Sequence, residues 1–206
     1  MQKKFNVRLN MKKTVITILS LMLLTITLLP AQTNEADETY IKAMTANNPD
    51  EKAAFLKDYV TKYAGQGTQY ENFAYANLCV LAYKGKTEKE TLEYGEKALN
   101  LGGLDDFTKY NVSITVASIY NKLGQNLEKA KNYALQSIQI AQTNKSKEGG
   151  QVTPAQWNQF IGAGHYIHGQ ALEKSKNLKS AVDSYIKSYN ILKNKQIANG
   201  IAKIGK

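Results

Sequence analysis

Apolar positions along the chain recur with the period of an amphipathic helix. Val112, Val116, Ile119 and Leu123 stand at i, i+4, i+7 and i+11, and Leu127, Ala130, Ala134, Ile138 and Ala141 form a second stripe just after them. Gly124 between the stripes is a helix stop, and Asn126 is placed to cap the helix that follows. The stretch 110–141 therefore predicts a helical hairpin.

The same reading covers the flanks. A short helix is predicted over 39–46, and Asn48, Pro49 and Glu51 make a start signal of cap, first-turn proline and back-bonding acid for the next. Ala53, Leu56, Tyr59, Val60 and Tyr63 form its stripe, which Gly65 and Gly67 end. Further helices are predicted over 70–84, bearing Phe73, Leu78, Leu81 and Ala82, and over 87–100, with Leu92, Tyr94, Gly95 and Leu99 inward. Asp105 or Asp106 caps the hairpin. The stretch 142–152 has no apolar period and reads as a solvated loop. Thr153, Pro154 and Gln156 repeat the start signal for a long helix carrying Trp157, Phe160, Ile161, Tyr166 and Leu172, and Asn177 caps another with Leu178, Ala181, Val182, Tyr185, Ile186 and Tyr189. Ile197, Ile201 and Ile204 restart a stripe near the end, which predicts either a fragment of a longer array or an edge that seeks a partner. Period-two alternation is lacking, so the fold class expected is all-α.

The first 31 residues differ in kind. Lys12 and Lys13 follow Met11, an alternative start, and 15–29 carries no charge before Pro30 and Ala31. Such a run is shorter than the roughly 20 residues of a membrane span and fits a secretory signal peptide cut near Ala31. The expectation is export to the periplasm or cell envelope, with membrane contact only through an uncleaved signal. Of the 27 basic residues, Lys3, Lys4, Arg8, Lys12 and Lys13 lie in this segment with none of the 17 acids, so 22 lysines against 17 acids leave +5. With no arginine beyond it, nucleic acid is not an expected partner. Cys79, the one cysteine, has no internal disulfide partner.

Three stretches align with one another: 91–101, 129–140 and 180–192. Thr91, Gly95 and Ala98 match Ala130, Ala134 and Ser137, and then Ala181, Tyr185 and Ser188. In the preceding helices Cys79, Ala117 and Gly169 match, as do Ala82, Tyr120 and Leu172. Small and aromatic residues in this order, as in Ala117, Tyr120, Gly124, Ala130, Tyr185 and Ser188, resemble the tetratricopeptide-repeat family. The resemblance covers about residues 70–192, with a weaker unit at 50–60. The units are longer than usual for that family and no proline ends the second helix. It implies antiparallel hairpins stacked as a right-handed superhelix, an α-α solenoid, with residues 32–69 as N-terminal helices and 193–206 as the start of a further helix. It also implies a non-enzymatic scaffold that holds a protein or peptide on the concave face of its first helices, without a cofactor.

In this register Lys84, Lys122 and Lys174 share one position, and with Tyr83, Asn121 and Tyr166 they form the expected partner-binding set. His165 and His168, the two histidines, stand at i, i+3 and define the alternative, a metal- or small-ligand-binding module or enzyme. Their register matches Tyr75 with Ser113 and Leu78 with Val116, which points instead to a packed seam. The same comparison reads Cys79 as a packed small residue, and Gly162, Gly164 and Gly169 as close-packing positions, since no Lys-Ser/Thr follows as a phosphate loop needs.

Overall fold

The computed structural model describes residues 30–147 and 150–204, and every regular element in them is an α-helix. They are α1 (Pro30–Thr45), α2 (Pro49–Tyr63), α3 (Glu71–Val80), α4 (Glu88–Leu101), α5 (Asp106–Leu123), α6 (Leu127–Lys145), α7 (Pro154–Lys174), α8 (Leu178–Leu192) and α9 (Lys195–Ile204). Among the described residues no helix is long and apolar enough to cross a membrane. Residues 1–29 of the expected signal segment lie outside them, and a cut near Ala31 would fall in the first turn of α1.

The predicted start signals act as local chemistry requires. Asn48 Oδ1 accepts from the Glu51 amide at 2.7 Å ahead of Pro49, and Asp105 Oδ1 accepts from Thr108 at 2.9 Å. Thr87 with Glu90 and Thr153 with Gln156 close reciprocal capping boxes. Gly124 takes a left-handed φ of 64° and ends α5. Asn126 also has positive φ, but its side chain caps nothing, so the turn is made by backbone conformation rather than by the expected cap.

Three boundaries differ from expectation. Helix α1 starts at Pro30, well before residue 39, because Ala36 and Ala43 lie on one fully buried face against α2 and α3. Helix α3 stops at Val80, not at residue 84. Leu81 turns extended, and Lys86 folds back so that Nζ donates to the carbonyls of Cys79 at 2.5 Å and Leu81 at 2.8 Å. Burial lowers the pKa of this ammonium, which satisfies acceptors that a continuing helix would have used. Helix α6 runs through Lys145, into the expected loop. Asn144 is buried, and it and then Lys147 hold the Asp106 carboxyl below its usual range, while Val152 packs in the core beside Tyr110 and Trp157.

Consecutive helices pack as short-looped neighbours from α1 to α9. In addition α3 touches α5 and α5 touches α7, whereas α4–α6 and α6–α8 make no comparable contact. The first helices of the hairpins thus form one layer. Their core is a series of buried clusters in chain order, joined where Val60 and Tyr94 pack against both the first and the second. Glycines set the spacing. A Cβ on Gly95 would lie 2.3 Å from Val116 Cγ2, one on Gly164 2.6 Å from Ile138 Cγ1, and one on Gly169 2.8 Å from the Tyr185 ring. Cys79 is fully buried in the same seam, as its register implied.

Polar side chains also join one unit to the next. Lys57 pairs with Glu90 at 2.9 Å and Lys129 with Glu96 at 2.6 Å, and Tyr120 Oη donates to Glu96 at 2.6 Å.

Candidate functional site

On α5, Ile114, Thr115, Ser118 and Ile119 recur at i, i+1, i+4 and i+5, which puts them on one face, turned away from the buried Val112 and Val116 stripe. On α7, Ala163, Tyr166 and Ile167 face them, the small Ala163 leaving room between the helices. Together these residues line a cleft of about 420 Å³. Leu192 at the end of α8, Asn194, and Gln196 and Ile197 of α9 close one end. Ile119 therefore belongs to the cleft wall rather than to the core stripe, and Leu123 is exposed.

Tyr166, Gln196 and Ile197 are shared with an adjoining cavity of about 390 Å³, which brings in Gln170, Glu173, Lys174, Lys176 and Lys203. The Tyr166 ring leans on Tyr185 at 5.8 Å between centroids. Tyr185 Oη donates to Glu173 at 2.6 Å, so that carboxylate is already engaged by a phenol. Beneath the cleft, buried Asn121 donates from Nδ2 to the Ile167 carbonyl at 2.7 Å and fixes α5 against α7. The arrangement offers apolar walls with an aromatic edge, and a polar, lysine-bearing extension at one end.

Of the residues expected to bind a partner, Tyr166 and Lys174 line this groove and Asn121 supports it. The other three lie elsewhere. Lys174 Nζ donates to the Asn121 carbonyl, and Lys122 pairs with Glu88 across to the preceding hairpin. Because α3 ends early, Tyr83 and Lys84 sit in the loop beyond it, at a shallow depression beside Asn48 and Asp50, and the Lys84 amide donates to Asp50 Oδ1 at 2.7 Å. The Tyr83 ring lies under the Lys57 ammonium at 4.7 Å. The three lysines consequently do not line one groove. The signal for the cleft residues was present in the sequence as a second, weaker apolar stripe on α5, opposite the strong one.

The histidines are not among the residues that line this cleft. His168 Nδ1 lies 3.0 Å from Ser184 Oγ, whereas the buried Nδ1 of His165 has no partner. Burial, then Lys187 and His168, pushes the His165 pKa down to about 4, and burial, then Lys131 and Lys187, lowers that of His168. Among the described residues no group of three or more His, Cys, Asp or Glu side chains could hold a metal ion. Cys79 cannot serve as a thiolate, because burial raises its thiol to about 12.

The acid side of the stability profile follows. An imidazole held below its unfolded value favours the unfolded chain once protons bind, so its stability contribution is intact above about pH 6.5 and is lost as pH falls toward 4. Between pH 7 and pH 5, unfolding free energy should drop by about 1 kcal/mol through His165, allowing for solvent screening of a half-exposed ring. Urea midpoints at the two pH values measure the drop, and His165→Gln should flatten it. An equal drop in that variant would place its origin elsewhere.

Comparison with protein-family models, with curated proteins and with solved structures finds no match for this chain.

Proposed function

We propose that the protein is an exported, non-enzymatic scaffold of tetratricopeptide-like hairpins that holds a protein or peptide partner on the concave face of its first helices. The observation that carries this reading is the apolar cleft between α5 and α7, with Tyr166 at its edge. Such a concavity, apolar with a few polar groups at one end, suits side chains of an extended or helical segment. The layer formed by α3, α5 and α7 supports a right-handed superhelix whose inner wall is that layer. The repeated small residues at Ala98, Ser137 and Ser188, all buried, agree with it. Export rests on the basic start and uncharged run of the N-terminal segment.

A photo-crosslinking residue at position 119 tests the reading in intact cell envelope, with position 186, exposed on α8 outside the cleft, as control. A discrete adduct from position 119 alone is expected. Filling the cleft with Ala163→Trp should remove it while leaving the thermal midpoint within a few degrees. Equal adducts from both positions, or an adduct that survives the filled cleft, would dismiss the assignment.

A further inference from the structure

On α7, Ala163, Tyr166, Ile167, Gln170 and Lys174 stand at i, i+3, i+4, i+7 and i+11, so one face of the helix lines the apolar cleft and runs on into the lysine-bearing extension. Tyr166, with Gln196 and Ile197 of α9, lines both spaces and marks where they meet. The chemistry changes across that line. The cleft of about 420 Å³ is walled by Ile114, Ile119, Ile167, Leu192 and Ile197, and no charged side chain is among the described residues that line it. The extension of about 390 Å³ gathers Lys174, Lys176 and Lys203 around one carboxylate, that of Glu173.

That carboxylate is already engaged, since it accepts from Tyr185 Oη at 2.6 Å. The lysines are not consumed as helix caps. The last carbonyls of α7, on Ala171, Glu173 and Leu172, accept from the backbone amides of Ser175, Lys176 and Asn177 at 3.0, 3.0 and 2.9 Å, and Lys176 takes a left-handed φ of 64° to close the turn. Lys174 Nζ is tethered to the Asn121 carbonyl, while Lys176 and Lys203 have no carboxylate partner among the described residues. An apolar trough that opens into excess positive charge is complementary to a ligand with an apolar body and an anionic end, and each space falls in the range of about 300–1,000 Å³ usual for small-molecule sites. We infer that the joined cavities bind an amphiphilic anion, an alkyl chain lying along Ile114, Ile119 and Ile167 with its carboxylate head between Lys176 and Lys203. The site does not depend on a protein partner; where one is held in the cleft, the ligand excludes it.

Decanoate is the probe, titrated into the full chain by calorimetry at neutral pH and below its micelle concentration, beside octanoate and uncharged decanol. Saturable binding of decanoate is expected, with octanoate weaker by about tenfold for its two missing methylenes. Lys176→Gln combined with Lys203→Gln removes two exposed charges and should weaken decanoate by about fivefold while leaving decanol unchanged. Ala163→Trp should abolish the binding of both. Binding that survives Ala163→Trp would put the amphiphile elsewhere on the chain and overturn the site, as would a titration without saturation. Decanoate indifferent to the lysine pair, or decanol as tight as decanoate, would overturn the recognition of an anionic head. A short peptide of leucine and glutamate that binds more tightly than decanoate, with the same dependence on Lys176 and Lys203, would overturn the alkyl chain in favour of a peptide segment. The titration contains no protein partner, so its failure is distinct from the absence of an adduct at position 119.

Discussion

Gly95→Ala is expected to destabilise the protein by about 2 kcal/mol, against the usual direction of the substitution. In an exposed helix interior, Gly→Ala gains roughly 1 kcal/mol because alanine has less backbone freedom to lose. Here the new methyl would lie 2.3 Å from Val116 Cγ2 and 2.8 Å from Cys79 Sγ. Both neighbours are fully buried, so neither can swing into solvent. Forcing a methylene into such a seam costs about 1–3 kcal/mol and sometimes more. Gly200 on α9 is the internal control. Nothing lies within 4 Å of a Cβ there, and Gly200→Ala should stabilise by about 0.5–1 kcal/mol. The pair Gly95→Ala with Val116→Ala should recover part of the loss, with a coupling energy of about 1 kcal/mol or more in a double-mutant cycle. Urea unfolding followed by circular dichroism reads the parent, Gly95→Ala, Val116→Ala, the double variant and Gly200→Ala. A Gly95→Ala protein as stable as the parent would show that α4 and α5 are farther apart than described.

That helix contact was legible in the sequence because the repeat register put a small residue wherever two hairpins approach. Gly95 could be matched with Ala134 before any coordinates, and Cys79 with Ala117 and Gly169. Start signals were equally legible, since a cap such as Asn48 or Thr153 acts within four residues of itself. The helix ends were less so. Lys86 terminates α3 by reaching back to the Cys79 and Leu81 carbonyls, a contact that depends on how the loop folds rather than on any local motif. Glu71 is a related case: it is buried, and its carboxylate accepts from the Gly65 amide at 2.9 Å, so an acid at a helix start holds the preceding turn. The lysine register meets the same limit at Lys84, which lies in the loop beyond α3. Equal positions in the aligned first helices of the hairpins imply equal environments only if those helices end together, and α3 ends before residue 84. What remained of the expected set, Tyr166, Asn121 and Lys174, lies where α5 and α7 are both long.

Tyr59→Ala is expected to be the most damaging single change, and its effect should be confined to one end of the molecule. Tyr59 is fully buried; its hydroxyl donates to Thr68 Oγ1 at 2.8 Å, and its ring meets Tyr40 at 5.8 Å and Tyr63 at 5.3 Å. Removing so large a buried aromatic costs about 3–5 kcal/mol. Tyr59→Phe keeps the packing and loses the hydroxyl contact, at about 1 kcal/mol. The cluster around Tyr59 draws on α1, α2 and α3, and its link to the next runs through Val60 and Tyr94. In an array held by neighbour contacts, the energy lost in one unit stays largely in that unit. Amide exchange in α1 to α3 should therefore accelerate by about a hundredfold to a thousandfold in Tyr59→Ala, following the tenfold per 1.4 kcal/mol rule, while α7 and α8 keep their protection. Acceleration of equal size in α7 and α8 would mean that the chain unfolds as one cooperative body, and the stacked-unit reading of the fold would then have to be abandoned.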